Sequence, residues 1–170
     1  MTTLLAPADL SDQLRNHQSP DLRRRRQIVG LSLIGGLIGA VVTAYQTGLV
    51  KKLPEILPGR IFNSEKVDAS DYAYRHLQMP DAPQMIITYG LTAALASAGG
   101  ADRAESNRAL PVALAVKTAF DLATCLYLAR EEWRENKALC SYCQTATALS
   151  AVSFALSLPE ARRALGVGTA

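Results

Sequence analysis

The residues most able to do chemistry are two of the three cysteines in the chain, Cys140 and Cys143, which lie three residues apart in the segment CSYC. Residues with this spacing share one face of a helix, where two sulfurs can form and break a disulfide. Asn136 is a candidate helix cap, which would place the pair in the first turns of a helix, where free backbone N–H groups stabilise a thiolate. We therefore predict thiol–disulfide exchange. The alternative is that both cysteines are small apolar residues packed in a bundle.

A second set of reactive side chains has a spacing of four, in Lys117, Asp121 and Cys125. This spacing forms one helical stripe, which must face other protein because charged groups avoid lipid. Lys117 and Asp121 are expected to form an ion pair, with a proton-relay or substrate role as the alternative. The helical rise places Cys125 at the level of Cys143, so all three are candidate auxiliary residues.

Two other kinds of site are not expected. The two histidines, His17 and His76, are predicted on opposite sides of a membrane, so no metal site is expected. The run Arg23–Arg26 has no second basic stripe or stacking aromatic residues beside it, so no nucleic-acid partner is expected. Three cysteines also cannot form the disulfide framework of a small secreted domain.

The elements that must position these residues are apolar segments. The chain has 170 residues, of which 49% are hydrophobic and 19% charged, a rich apolar content for a water-facing domain. Its apolar segments predict an all-α fold, a four-helix transmembrane bundle formed by residues 27–158. The spans are predicted at about 27–50, 83–100, 110–130 and 139–158. An alternative for the first segment is an export signal cleaved after Ala44.

The charges beside the first span predict the topology. Arg23–Arg26 should remain in the cytoplasm, so tails 1–26 and 159–170 are predicted inside, and residues 51–81 and 130–138 outside. We predict one short helix in this external loop, capped by Asp68 or Ser70 and resting on the membrane surface through side chains that include Tyr72 and Leu77. The predicted location is the cytoplasmic membrane, crossed several times.

The segment WRENKALCSYCQTATALSAVSFALSLPEA resembles the vitamin K epoxide reductase family, particularly its bacterial homologues. The segment GRIFNSEKVDASDYAYRHLQ is similar to a loop of small bacterial members. The resemblance covers most of residues 27–160. It implies a four-helix bundle around a quinone, ubiquinone or menaquinone, that exchanges electrons with the cysteine pair. By the same resemblance Cys143 faces the quinone, and Cys140 exchanges electrons with a second dithiol.

The sequence departs from this family in the external loop, because residues 51–81 contain no cysteine where the family has its second pair. Three alternatives follow: an external thioredoxin-like thiol protein reacts with Cys140, Cys125 replaces part of the shuttle, or turnover has been lost. Tyr72, Tyr89 and Tyr142 are candidate hydrogen-bond donors to the quinone.

The predicted function is that of a membrane thiol–disulfide oxidoreductase linked to a quinone. The main alternative is a non-catalytic membrane bundle that scaffolds a partner or binds a lipid-like ligand. A transporter subunit that uses Lys117 and Asp121 is a third hypothesis, weakened by the small size of the chain.

Overall fold

The computed structural model describes residues 6–75 and 78–167, and these residues form eight helices and no strand. The helices are α1 (Pro7–Asn16), α2 (Pro20–Gln46), α3 (Ser64–Asp68), α4 (Asp71–Tyr74), α5 (Ala82–Ser97), α6 (Arg103–Ser106), α7 (Ala109–Asn136) and α8 (Ser141–Ala164). The all-helical prediction is therefore confirmed for this part of the chain. The predicted positions of His76 and Leu77, and of the outermost residues of both tails, lie outside the described residues.

Helix α2 begins seven residues before the predicted span. The hydroxyl oxygen of Ser19 accepts a hydrogen bond from the Leu22 N–H at 3.2 Å, and Pro20 occupies the first helical turn, where its missing N–H costs nothing. The helix ends at Gln46, two residues before Gly48, whose φ of 77° turns the chain out of the helix. Arg23–Arg26 therefore lie inside α2 and not in front of it.

Helices α7 and α8 are also longer than the predicted spans. Residues 131–136, predicted as part of an external connection, continue α7, and Arg134 pairs with Glu131 there at 2.7 Å. The helix ends where Lys137 adopts a left-handed conformation with a φ of 52°. Helix α8 passes through Pro159 and ends at Ala164, six residues beyond the predicted end of that span. The spans were predicted from apolar segments alone, so the charged ends of these helices were not included.

The four long helices pack beside one another, with α2 against α5 and α8, and α7 against α8 and α5. Small residues allow the closest approach, between α2 and α5. A Cβ atom on Gly35 would lie 2.5 Å from the Tyr89 ring, and one on Gly39 would lie 3.1 Å from Ile86. Gly35 and Gly39 therefore admit the neighbouring helix.

The long helices bury small polar side chains and turn large apolar ones outward. The buried set comprises Ser32, Thr92, Thr118, Ser150, Ser153 and Ser157. Large outward side chains include Leu37, which is 68% exposed, and Phe120, which is 71% exposed. Helices α2 and α7 are long and apolar enough to cross a membrane, and only 28% and 22% of their most apolar windows are buried. This distribution differs from that of a buried core helix in a soluble protein.

Arg25 closes the end of the bundle opposite the cysteines. It is 2% exposed, and its guanidinium donates to the Ala96 carbonyl at 2.7 Å and the Gly100 carbonyl at 2.8 Å. Further bonds reach carbonyls between these two residues. These are the carbonyl groups that the end of α5 leaves without helical partners. One arginine of the basic cluster is thus a buried helix cap, in addition to the topological role predicted from charge.

Candidate functional site

The cysteine pair lies at the amino-terminal end of α8. Cys140 is the N-cap residue, and its sulfur accepts a hydrogen bond from the backbone N–H of Cys143 at 3.1 Å. Cys140 is fully buried, whereas Cys143 is half-buried. The prediction that Asn136 caps this helix is wrong, because Asn136 is the last residue of α7 and Cys140 caps α8 itself. The pair nevertheless occupies the first turn of a helix, the position that the wrong cap had predicted.

A buried carboxylate faces the two thiols. Asp68, the last residue of α3, is 2% exposed, and its Oδ1 accepts from Cys143 Sγ at 4.0 Å. A carboxylate oxygen of Asp68 and the sulfur atoms of Cys140 and Cys143 all lie within 4.8 Å of one another. The other carboxylate oxygen, Oδ2, has no hydrogen-bond partner among the described residues. Of the two predicted caps of the loop helix, Ser70 occupies the N-cap position of α4 and Asp68 does not.

Burial changes the acidity of this carboxyl group. It raises the pKa of Asp68 to about 7, and although a hydrogen bond from the Cys140 thiol opposes this change, the negative charges of Asp81, Glu132 and Glu55 reinforce it. At neutral pH the group therefore exchanges between its neutral and charged forms. Nothing in the local sequence indicates this, because the environment is built by three other parts of the chain.

Glu132 provides a second buried carboxylate beside the pair. It is 3% exposed, and its Oε2 accepts hydrogen bonds from the Cys140 N–H at 3.1 Å and from Gln144 Nε2 at 3.2 Å. Glu132 was not predicted as a site residue, because it belongs to a charged stretch that is typical of a solvent-exposed surface. The unpredicted extension of α7 places it against the start of α8.

The loop of residues 51–81 is bonded directly to the cysteine segment. Ser64 Oγ accepts from the Ser141 N–H at 2.9 Å and donates to Glu55 Oε2 at 2.8 Å. The Leu139 carbonyl accepts from the Asn63 N–H at 3.0 Å. Residues 51–81 therefore form a structured loop, with the two short helices α3 and α4 instead of the one predicted, and they hold the amino-terminal end of α8 in place.

The three tyrosines predicted as quinone donors all bind backbone carbonyls. Tyr72 donates to Leu128 at 3.3 Å, Tyr89 to Ala146 at 2.7 Å and Tyr142 to Pro54 at 2.7 Å. The prediction that Tyr72 rests on a membrane surface is wrong, since it is only 5% exposed. In this arrangement the hydroxyl groups stabilise the walls of the site, and they would have to release their carbonyls to bind a quinone.

The polar stripe of α7 contains the expected ion pair. Lys117 Nζ lies 2.5 Å from Asp121 Oδ2, and both side chains are largely buried. Lys117 also donates to Thr92 Oγ1 at 2.6 Å, and Thr88 Oγ1 donates to Asp121 at 3.2 Å. The network is thus shared with α5, which fits a structural pair between helices.

Cys125 lies deeper than predicted. Its sulfur is 3.9 Å from Ser150 Oγ. Ser150 is seven residues beyond Cys143 on α8, or about 10 Å of helical rise. The expected common level of Cys125 and Cys143 is therefore wrong, because α7 continues to Asn136 and places Cys125 further from the outer end of the helix.

Asp68, Cys140 and Cys143 are also the group of described residues that comes closest to a metal site. They supply three donor atoms, whereas a structural zinc site has four. Two thiols that are close enough to form a disulfide, one of them on the N-cap residue of a helix, are better suited to redox chemistry than to metal binding.

The sequence profile described as the vitamin K epoxide reductase family matches residues 26–158. No curated protein and no solved structure is significantly similar to the chain. The matched region contains nearly all of the four long helices, the external loop and the cysteine pair. The family consists in general of membrane-associated oxidoreductases that use quinones. Because the match covers most of the chain, the protein belongs to the vitamin K epoxide reductase family.

Proposed function

We propose that the protein is a membrane thiol–disulfide oxidoreductase that passes electrons between the pair Cys140 and Cys143 and a membrane quinone. The observation that carries this proposal is the buried pair on the N-cap of α8, with the Asp68 carboxylate 4.0 Å from Cys143 Sγ. A dithiol that only filled space would have no need of an ionisable group in this position.

The reaction that we propose balances in electrons and protons. Two thiols and one quinone give one disulfide and one quinol, so two electrons and two protons move together. Cys143 is the half-buried thiol and is the sulfur proposed to react with the quinone. Cys140 then closes the disulfide, for which its position as the cap of the same helix turn suits it.

Electrons exchange at the outer face with a thioredoxin-like thiol protein in this proposal. Loop residues 51–81 have no cysteine to serve as an internal shuttle. The contact of Cys125 with Ser150, well below Cys143, argues against its use as a substitute shuttle. Cys140 is fully buried, and the loop is bonded to Leu139 beside it, so we expect the partner to displace part of this loop to reach the sulfur.

The four long helices cross the membrane in this proposal, with the cysteine end outside. Helices α2 and α7 are apolar and long enough, and the other two also present apolar side chains outward. Ile87 of α5 is 71% exposed and Val152 of α8 is 48% exposed. The arginines of α2 lie at the opposite end from the cysteines, which favours a cytoplasmic position for that end.

Steady-state turnover tests the whole proposal. The purified protein in lipid nanodiscs is supplied with a reduced thioredoxin-like dithiol and a water-soluble quinone, and quinol formation is followed by absorbance. Dithiol oxidation should depend on both the protein and the quinone. A rate no greater than that of the Cys140→Ser/Cys143→Ser protein would contradict the proposal.

The alternative is a non-catalytic bundle of the same fold that binds a partner or a lipid-like ligand. The absence of loop cysteines and the complete burial of Cys140 are the observations in its favour. It predicts that the thiols remain inert when a quinone is added.

A further inference from the structure

The proposed reaction leaves one question open, which is where the thiol proton of Cys143 goes. A thiol must lose this proton to become a nucleophile. Asp68 Oδ1 is the hydrogen-bond acceptor of Cys143 Sγ, at 4.0 Å, and Asp68 is 2% exposed. We propose that Asp68 accepts the proton of the Cys143 thiol when this thiol reacts. The inference rests on the proposed function only in taking Cys143 as a reacting thiol.

The contacts of Asp68 leave it free to act as a base. Buried carboxylates are ordinarily paired with a cation, but among the described residues Asp68 forms no ion pair. Its Oδ2 atom has no hydrogen-bond partner there either. Within the described part of the chain, the Asp68 carboxyl group therefore accepts hydrogen bonds from thiols but has no cation to fix it in the charged form.

The acidity of Asp68 suits proton transfer at neutral pH. Burial raises its pKa to about 7, the range in which a general base is most effective. The titratable groups around Asp68 are carboxyl, phenol and thiol groups. Their ionised forms are negative, so they disfavour the charged form of Asp68. These groups are Tyr45, Glu55, Tyr74, Asp81, Glu132, Cys140, Tyr142 and Cys143.

Glu132 is the rival base, and its contacts distinguish it from Asp68. Glu132 Oε2 already accepts from the Cys140 N–H and from Gln144 Nε2, so it is positioned by two donors. A hydrogen bond from the Cys143 thiol also reaches Glu132, but the two other donors hold the Glu132 carboxylate against the turn, whereas Asp68 Oδ2 has no hydrogen-bond partner among the described residues. We therefore assign Glu132 to positioning the turn and Asp68 to receiving the proton.

Bonds, electrons and protons balance when Cys143 transfers its proton to Asp68 and attacks the quinone. The S–H bond of Cys143 breaks, an O–H bond forms on Asp68, and the sulfur keeps the electron pair with which it attacks the quinone. When Cys140 closes the disulfide, two electrons pass to the quinone. The quinol carries two protons, equal in number to those that the two thiols release.

The test measures the reactivity of Cys143 alone. In the Cys125→Ser/Cys140→Ser protein Cys143 is the one remaining cysteine, and its rate of alkylation by iodoacetamide is followed from acid to alkaline pH. A coupled pair loses its first proton as a unit, so the rate should rise near pH 7, reach a plateau and rise again at alkaline pH. Asp68→Asn on this background should remove the neutral step and lower the rate at the plateau about tenfold or more.

Two matched variants make the result specific. Glu132→Gln should keep the neutral step, and so should Asp71→Asn, which removes an exposed carboxylate three residues from Asp68. A neutral step that survives Asp68→Asn, or one that Glu132→Gln abolishes, would overturn the proposal. The ultraviolet absorbance of the thiolate in the protein with Asp68 intact gives an independent reading: it should rise only at alkaline pH, because the neutral step ionises the carboxyl group, and a full rise near pH 7 would overturn the proposal. No quinone enters these assays, so a failure of quinone reduction would count against the proposed function alone.

Discussion

At the scale of single residues, the two cysteines differ in their surroundings although they are close in sequence. Cys140 is fully buried and its sulfur caps α8, whereas Cys143 is half-buried and faces Asp68. Cysteine at an N-cap is replaced well by serine, whose hydroxyl oxygen accepts the same backbone hydrogen bond. Serine variants therefore separate the chemistry of the site from its folding.

We expect Cys140→Ser and Cys143→Ser each to abolish dithiol oxidation by the quinone, since a disulfide needs both sulfurs. Expression and thermal stability should change little. Cys125→Ser is the matched control and should retain activity, because Cys125 contacts Ser150 and not the pair. Turnover of the three single variants checks this, and full activity in either site variant would show that the pair is not the redox centre.

Asp68 should make the stability of the fold depend on pH. Its pKa is raised by burial to about 7 in the folded protein, so the folded state holds this proton more strongly than the unfolded chain. Stability is complete below the unfolded pKa, near 4, and is lost as pH rises through about 7, by up to about 4 kcal/mol. Asp68→Asn removes this loss.

Thermal unfolding at acid and alkaline pH tests the prediction. Asp68→Asn should unfold at a higher temperature than the unchanged protein at pH 8, with a smaller difference at pH 5. Asp71→Asn, at an exposed position, should show no such change with pH. An equal difference at the two pH values would mean that Asp68 does not titrate in this range.

At the scale of helices, the contact between α2 and α5 depends on one glycine. A Cβ at Gly35 would lie 2.5 Å from the Tyr89 ring, which cannot easily move because its hydroxyl is bonded to the Ala146 carbonyl. Gly35→Ala should therefore destabilise the fold by about 1 to 3 kcal/mol, the usual cost of overpacking. Gly36 is the control, since a Cβ there meets nothing within 4 Å.

Thermal unfolding of the two alanine variants in the same detergent gives the comparison. Both substitutions gain the same helix propensity, so the difference between them isolates the contact with Tyr89. Gly36→Ala should unfold at or above the temperature of the unchanged protein. Equal unfolding temperatures for the two variants would show that the helices do not approach so closely.

Local patterns predicted several of these features. The spacing of Cys140 and Cys143 predicted that the two side chains lie together on one helical turn, and the spacing of Lys117 and Asp121 predicted their ion pair. Both inferences use residues within one helix, where sequence distance determines separation in space. Apolar runs located the long helices but not their charged ends.

The other features of the site depend on contacts between helices that are distant in sequence. Asp68 reads as a capping residue and Glu132 as a solvated charge, and only the packing of α3 and α7 against α8 brings both to the cysteines. The predicted depth of Cys125 was wrong because it was measured from the predicted end of α7, and the helix continues to Asn136. Arg25 was recognised by its charge, but its carbonyl partners are more than 70 residues away in sequence.

At the scale of the whole molecule, the apolar exterior and polar interior predict its topology in the membrane. Residues 1–26 and 159–170 should face the cytoplasm, and residues 51–81 should face outward, because α2 carries its arginines at one end. Reporter fusions after residue 60 and after Ala170 check this. A reporter after Ala170 that is active outside the cell would contradict the topology, and so would a mature chain that begins at Tyr45.

The central claim is that a quinone oxidises the pair Cys140 and Cys143. The most direct measurement reduces the purified protein in lipid nanodiscs, removes oxygen and reductant, adds one equivalent of quinone and traps the remaining thiols for mass spectrometry. We predict that Cys140 and Cys143 lose their thiols together, with one quinol formed per disulfide, while Cys125 stays labelled. If Cys140 and Cys143 both remain labelled and the quinone is not consumed, the redox account is wrong and the non-catalytic bundle is favoured.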